Sequence, residues 1–270
     1  KEDDKVALAI CEHYQPRYAG DELPSTPESL AVALADKIET LTGLFGIGQL
    51  PTGEKDPFAL RRHALGILRM LIEKELPLSL DKLIAIGTEE ESVVPGVKDA
   101  TEELKQFFHD RLRVMQKDQG FTAHEVESVI GSEPAILADV PKRLKAVHDF
   151  MSLPEAESLA AANKRIENIL KKNTLPLADA VDPALLTEKE EKDLYEAIRT
   201  LEPKLEADYK AGRYEDELRS LAPLKAPVDA FFDKVMVNAE DEALRRNRLT
   251  LLNELHKAMN QVAKLSCLAS

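Results

Sequence analysis

The amino-acid sequence predicts an almost entirely α-helical protein. The chain has only 11 glycines among 270 residues. Its apolar residues recur at helical spacing nearly throughout, and β-branched residues rarely alternate with polar ones. Because 44% of the residues are apolar, the chain has enough material for a buried core. No apolar run approaches the length that crosses a bilayer, so we expect no membrane partner.

The first predicted helix covers residues 28–45 and follows a Ser-Thr-Pro start signal. Its apolar residues lie on one face, which must pack against another element. The segment 46–55 is predicted to be a loop. Asp56, with the proline after it, supplies a cap and a first-turn residue for a second helix, which ends at Pro77.

Residues 87–98 combine two glycines, one proline and three consecutive glutamates, which is typical of a linker or an exposed connection. We place the domain boundary there and predict one domain at residues 1–95 and another at 96–270. The remaining predicted helices cover residues 99–118, 122–130, 140–151, 155–172, 188–210, 213–221, 225–237 and 241–265.

The net charge of −13 argues against a protein that grips nucleic acid over its whole surface, because neutralising phosphates requires lysine and arginine. We therefore expect no DNA partner, and any RNA contact must be local. Two windows are locally basic. Residues 105–117 hold four basic side chains against one acid, and residues 142–172 hold seven against four.

Cys11 and Cys267 match no metal-binding or redox spacing, which indicates a reducing compartment, and we expect a cytoplasmic protein. The first residues are charged and no apolar segment follows them, so we expect no signal peptide. The absence of an obvious natural start makes the sequence look like a fragment of a longer chain.

Three possible sites each have a simpler structural explanation. The loop 48–55 invites comparison with a phosphate-binding loop, but its lysine comes one residue late and no serine or threonine follows. His109-Asp110 and His148-Asp149 suggest a metal-dependent phosphohydrolase. Adjacent helical residues point about 100° apart, so neither dipeptide can chelate an ion alone. We find no activated nucleophile and expect no catalytic, cofactor-binding or metal-binding residue.

The predicted helix at 155–172 has an apolar stripe and a separate polar face. That face carries Lys164, Asn168 and Lys171, and Arg165 and Lys172 flank it. Spacing alone favours an ordinary solvated face, so a binding role needs independent support.

Several longer strings resemble the C-terminal part of the bacterial glycyl-tRNA synthetase β subunit family. The resemblance extends over essentially the whole chain. The matching strings are 13–24 (HYQPRYAGDELP), 34–40 (LADKIET), 51–62 (PTGEKDPFALRR), 160–165 (AAANKR), 168–170 (NIL), 231–238 (FFDKVMVN) and 244–249 (LRRNRL).

This resemblance implies the end of an HD-type helical domain, followed by an anticodon-binding helical bundle of the type shared with arginyl-tRNA synthetase. It also implies a tetramer of two α and two β subunits, with ATP and Mg²⁺ bound by the α subunit and no cofactor in this chain. Asp36 corresponds to the acid that closes the HD metal-ligand set. The histidines that would precede it lie outside the sequence, so we expect a relic or a polar packing residue.

The resemblance and the basic windows together predict recognition of the glycine tRNA anticodon, which carries two cytosines. A cytosine reader needs both hydrogen-bond donors and acceptors. Two alternatives remain: a helical scaffold that docks the α subunit without touching RNA, and an HD phosphohydrolase. The predicted tRNA-binding residues are Arg111, Arg113, Lys142, Arg143, Lys164, Arg165, Asn168 and Lys171.

Overall fold

The computed structural model describes residues 3–269, and the all-α prediction is confirmed for this part of the chain. Only isolated bridges, and no β-strands, accompany the helices between these residues. The α-helices are α1 (Asp4–Glu12), α2 (Pro27–Gly46), α3 (Leu60–Glu73), α4 (Leu80–Glu91), α5 (Thr101–Asp118), α6 (Ala123–Ile130), α7 (Val140–Phe150), α8 (Ala156–Lys172), α9 (Lys189–Lys210), α10 (Tyr214–Arg219), α11 (Lys225–Lys234) and α12 (Glu242–Met259).

Among the helices described, none is long and apolar enough to cross a membrane. The chain forms two compact units. Unit 1 comprises the residues up to Gly120 together with Pro134–Pro141. Unit 2 comprises Phe121–Glu133 and the residues from Lys142 onward.

Helix α2 is the centre of unit 1, where it packs against α1, α3, α4 and α5. It begins where the Thr26 side chain accepts a hydrogen bond from the Ser29 N–H at 3.2 Å. Its residues Leu41 and Phe45 are buried. Gly87 on α4 lies so close to α2 that an added Cβ would stand 2.8 Å from the Thr42 methyl group, so the packing of these two helices requires glycine.

The predicted boundary at residues 95 and 96 differs from the division between the units, because α5 packs with α2, α3 and α4 in unit 1. Leu104, Phe108 and Leu112 form the buried face of α5. The glutamate run that suggested a linker forms the last turn of α4, which begins with a Ser79 cap.

Unit 2 is built around α8, which packs against α11, α12 and the 3-10 turn Leu265–Leu268. Helix α12 ends at Met259, earlier than predicted. Asn260 explains this end, since its side chain donates to the His256 carbonyl at 2.6 Å and accepts from the Leu265 N–H at 2.9 Å.

Candidate nucleic-acid interface

One open concavity lies along the exposed face of α8, and we call it the α8 groove. Its volume is about 370 Å³. Three of the predicted tRNA-binding residues, Lys164, Arg165 and Asn168, line this groove. No carboxylate lines it among the residues described, so it is a locally basic site in an acidic chain. Its other lining residues are Ala161, Ile169, Lys172 and Ala269.

The helical period of α8 explains why these side chains meet. Residues 161, 165, 168 and 172 follow one another at intervals of three or four, and residue 164 lies three after 161 and four before 168, which places all five on one side of the helix. The opposite face carries Leu159 and Ile166, both fully buried. Burial of that apolar stripe fixes the rotation of α8 and so exposes its polar face.

Arg165 is held by an aromatic ring from a different helix. Its guanidinium carbon lies 4.2 Å from the centroid of the Phe232 ring on α11, which is a close cation–π contact. Within residues 3–269, the guanidinium N–H groups of Arg165 donate no hydrogen bond, and its side chain forms no ion pair. The arrangement therefore orients a flat cation and leaves its donors available to a ligand.

Lys164 and Lys171 differ in their surroundings. The Lys164 Nζ donates to the Ala269 carbonyl at 3.3 Å at the edge of the groove. Lys171 instead forms an ion pair with Glu167 at 2.7 Å, and Glu167 also lies 3.3 Å from Lys264. Burial opposes ionisation of Glu167, but hydrogen bonds from Lys171, Ser266 and Lys264 lower its pKa to about 2. Lys171 thus has its charge balanced beside the groove.

The structure corrects the expectation for Arg143 on α7. Its side chain is only 6% exposed, and it donates to the Val262 carbonyl at 2.8 Å and to the Tyr209 hydroxyl at 3.0 Å. It also lies 4.9 Å from the centroid of the Tyr214 ring. Arg143 stabilises the interior of unit 2 and does not present its guanidinium to a phosphate. Its neighbour Lys142 is exposed.

Arg111 and Arg113 lie on α5 and belong to unit 1, whereas the residues of the α8 groove belong to unit 2. Arg113 forms an ion pair with Asp110 at 3.2 Å. Arg111 lines another concavity of about 490 Å³, together with Arg61, Arg62 and Arg69. The eight predicted residues therefore do not form a single surface within either unit.

Sequence reasoning did not assign Lys172 or Phe232 to the site. Lys172 follows Asn168 by four residues, so helical spacing alone places it on the same face. No local signal links Phe232 to Arg165, because the two residues meet only through the packing of α8 against α11.

A third concavity, the Asp36 pocket, has a volume of about 280 Å³ and lies entirely in unit 1. Arg17, Lys37, Arg62 and His63 line it together with Asp36. Across residues 3–269, no three His, Cys, Asp or Glu side chains are grouped closely enough to hold a metal ion. Three cations beside one carboxylate are a poor fit for the divalent cation that an HD-type site would bind.

Comparison with known proteins gives two family matches. Residues 1–131 match the family described as glycyl-tRNA synthetase beta subunit, and residues 159–266 match the DALR anticodon binding domain. The second match contains all the groove residues of α8 and Phe232.

The chain is also similar to proteins named glycine–tRNA ligase beta subunit. The protein from Delftia acidovorans is 55% identical over 272 residues, which covers 99% of this chain and 38% of the relative. The relative from Leptothrix cholodnii is 55% identical, and the match covers 99% of this chain and 37% of the relative. The relative from Nitrosomonas eutropha is 50% identical, and the match covers 99% of this chain and 39% of the relative. The chain therefore spans less than two fifths of the length of these relatives.

Proposed function

We propose that this chain, which belongs to the glycyl-tRNA synthetase beta subunit family and corresponds to its C-terminal part, binds glycine tRNA through the α8 groove. The observation that carries the proposal is the convergence of Lys164, Arg165 and Lys172 in one concavity that, among the residues the structure describes, no carboxylate lines. Phosphate neutralisation and base contact both need such a local cluster of donors.

The groove also has the chemistry to read a cytosine. A cytosine presents an amino donor next to carbonyl and ring-nitrogen acceptors. The Asn168 side chain offers both a donor and an acceptor, and Arg165 offers several donors in one plane. An arginine plane also provides a stacking surface for an unpaired base. In this proposal Arg165 and Asn168 contact the anticodon cytosines, while Lys164 and Lys172 contact phosphates.

In this proposal the chain acts as the tRNA-binding part of a cytoplasmic glycine–tRNA ligase. The α subunit binds ATP and Mg²⁺ and joins glycine to the tRNA, in a complex of two α and two β subunits. The chain itself supplies no catalytic residue. The similarity to ligase beta subunits supports this division of labour.

The direct test is a gel-shift titration of the chain with a glycine tRNA transcript at low salt. We expect Arg165→Ala to weaken binding by about tenfold or more, since one base or phosphate contact is worth roughly 1–3 kcal/mol. The matched control is Arg219→Ala on α10, because Arg219 is exposed, pairs with Glu215 and lies outside the groove. Arg113→Ala tests the predicted contribution of α5 in the same assay.

A second tRNA, with its two anticodon cytosines replaced, separates anticodon reading from general RNA binding. We expect this tRNA to bind more weakly than the intact one and to respond less to Arg165→Ala. Equal binding of both tRNAs would remove anticodon recognition. Absence of any tRNA binding would instead favour a scaffold that docks the α subunit.

A further inference from the structure

We infer that the Asp36 pocket of unit 1 is a binding site for a phosphate group. The pocket is distinct from the α8 groove, so this inference does not rest on the proposed tRNA contact. It is built from α2 and α3 and from the segment that follows α1. Its charged lining consists of Arg17, Lys37, Arg62 and a single acid, Asp36.

Lys37 is the central feature of the pocket. Its side chain is only 3% exposed, and its Nζ donates to the His13 carbonyl at 3.2 Å. An ammonium group has three donors, and no other polar partner for this one occurs within residues 3–269. A buried cation with unused donors is costly unless an anion or another acceptor reaches it.

The sequence makes room for this lysine. Gly66 on α3 faces the Lys37 side chain, and an added Cβ there would stand 3.1 Å from the Lys37 Cε and 3.3 Å from Pro16. Both distances are shorter than ordinary van der Waals contacts. Glycine at position 66 therefore leaves space for the lysine stem between α2 and α3.

Two arginines flank the lysine at the mouth of the pocket. Arg62 is exposed, and its guanidinium has no hydrogen-bond or ion-pair partner among the described residues. Arg17 is oriented by Asp21, which it contacts at 2.9 Å, and it keeps more than half of its side-chain surface exposed. The guanidinium of Arg17 is therefore oriented in advance, and guanidinium groups match the geometry of phosphate oxygens.

His63 completes the lining as a neutral group. Burial lowers its pKa, and the nearby Lys37 charge lowers it further. Its Nδ1 is buried and has no hydrogen-bond partner within residues 3–269. The pocket thus offers a neutral ring and three cations against one carboxylate in its lining. Asp21 balances the charge of Arg17, and the positive charge that remains suits an anion.

Isothermal titration of the chain with inorganic phosphate, and separately with AMP, tests this inference. We expect saturable binding of both, weakened about tenfold by Arg62→Gln, because the variant loses a hydrogen bond between charged groups. The control is Lys82→Gln, an exposed lysine on α4 that lies outside the pocket, and it should leave binding unchanged.

Asp36→Asn distinguishes an anion site from a cation site. If phosphate occupies the pocket, removal of the carboxylate removes a repulsion, and phosphate should bind several-fold more tightly. A site for a divalent cation would behave in the opposite way, with Mn²⁺ binding lost in the variant. Thermal melts of each variant verify that the fold is retained.

Glycine tRNA serves as a competitor to identify the source of the phosphate. Displacement of AMP by tRNA assigns the pocket to an RNA backbone, and AMP binding unaffected by tRNA assigns it to a free nucleotide or phosphate. The inference is overturned if neither phosphate nor AMP binds saturably at millimolar concentration, or if Asp36→Asn weakens both. Arg165→Ala should leave phosphate binding intact. A negative result for phosphate binding in the Asp36 pocket is therefore distinguishable from a negative result for tRNA binding in the α8 groove.

Discussion

Glu217 on α10 is an acidic residue in an unusual setting. Its side chain has no exposed surface, and neither carboxylate oxygen has a hydrogen-bond partner within residues 3–269. Burial raises its pKa to about 8, and the Asp208 charge adds to this effect, while Arg143 and Lys204 partly oppose it. At neutral pH the folded chain therefore keeps this carboxyl group protonated.

This shift makes the stability of the fold depend on pH. Between the ordinary pKa of 4.5 and about 8, the unfolded chain loses the Glu217 proton and the folded chain retains it. The free energy of unfolding therefore falls as pH rises through this window, by at most about 1.4 kcal/mol per pH unit.

Glu217→Gln should remove this fall, because an amide does not titrate. We expect the variant to gain about 3.5 kcal/mol relative to the unsubstituted chain between pH 5 and pH 8. Urea unfolding at several pH values measures the difference. Glu196→Gln, at an exposed position on α9, is the control and should follow the unsubstituted chain. Parallel curves for Glu217→Gln and the unsubstituted chain contradict the account.

At the scale of single helices, local spacing indicates the exposed face of α8 and also the buried face of α7. Arg143 lies three residues after Val140 and four before Val147, both of which are fully buried. It therefore belongs to the buried face of α7, and helical spacing alone indicates this. Arg165 lies between Ala161 and Asn168 on the groove side of α8. Residue type does not show which of these two arginines is buried, whereas the position of each relative to the apolar residues of its helix does.

The contact between α9 and α12 depends on a buried ion pair. Arg248 lies 2.6 Å from Glu191, and their side chains are 7% and 0% exposed. Arg248 also donates to the Met236 carbonyl at 2.8 Å, which ties down the segment after α11. The string 244–249 that carried the family resemblance therefore includes a residue of the core.

Arg248→Met should destabilise the fold by about 3–5 kcal/mol, because it leaves the Glu191 carboxylate buried without its partner. Arg246→Met is the matched control, since Arg246 forms an exposed pair with Glu242 and should cost less than about 1 kcal/mol. The double variant with Glu191→Met should recover part of the loss. Chemical denaturation provides the measurement, and equal costs for Arg248→Met and Arg246→Met would falsify the structural role.

For the whole molecule, the sequence predicted the helical class and most helix positions, because apolar spacing and caps are local signals. It did not predict that α5 packs in unit 1, since the apolar face of α5 does not specify its partner. It also did not predict the Arg165–Phe232 contact or the Asp36 pocket. Both depend on residues distant in sequence.

The net charge of −13 opposes RNA binding by the chain as a whole. An acidic body repels RNA at long range, so binding depends on a small site where cations outnumber acids. The α8 groove meets this condition because Glu167, the acid nearest in sequence to its cations, is already paired with Lys171 and Lys264.

The salt dependence of tRNA binding tests this central claim most directly. The dissociation constant is measured from about 50 to about 200 mM salt for the unsubstituted chain, for Lys164→Gln with Lys172→Gln, and for a control double variant. The control, Lys210→Gln with Arg219→Gln, removes two exposed cations that pair with Glu206 and Glu215. We expect loss of the two groove cations to reduce the slope of log affinity against log salt by about 1.5, with no change for the control. An unchanged slope for the groove variant would contradict the account.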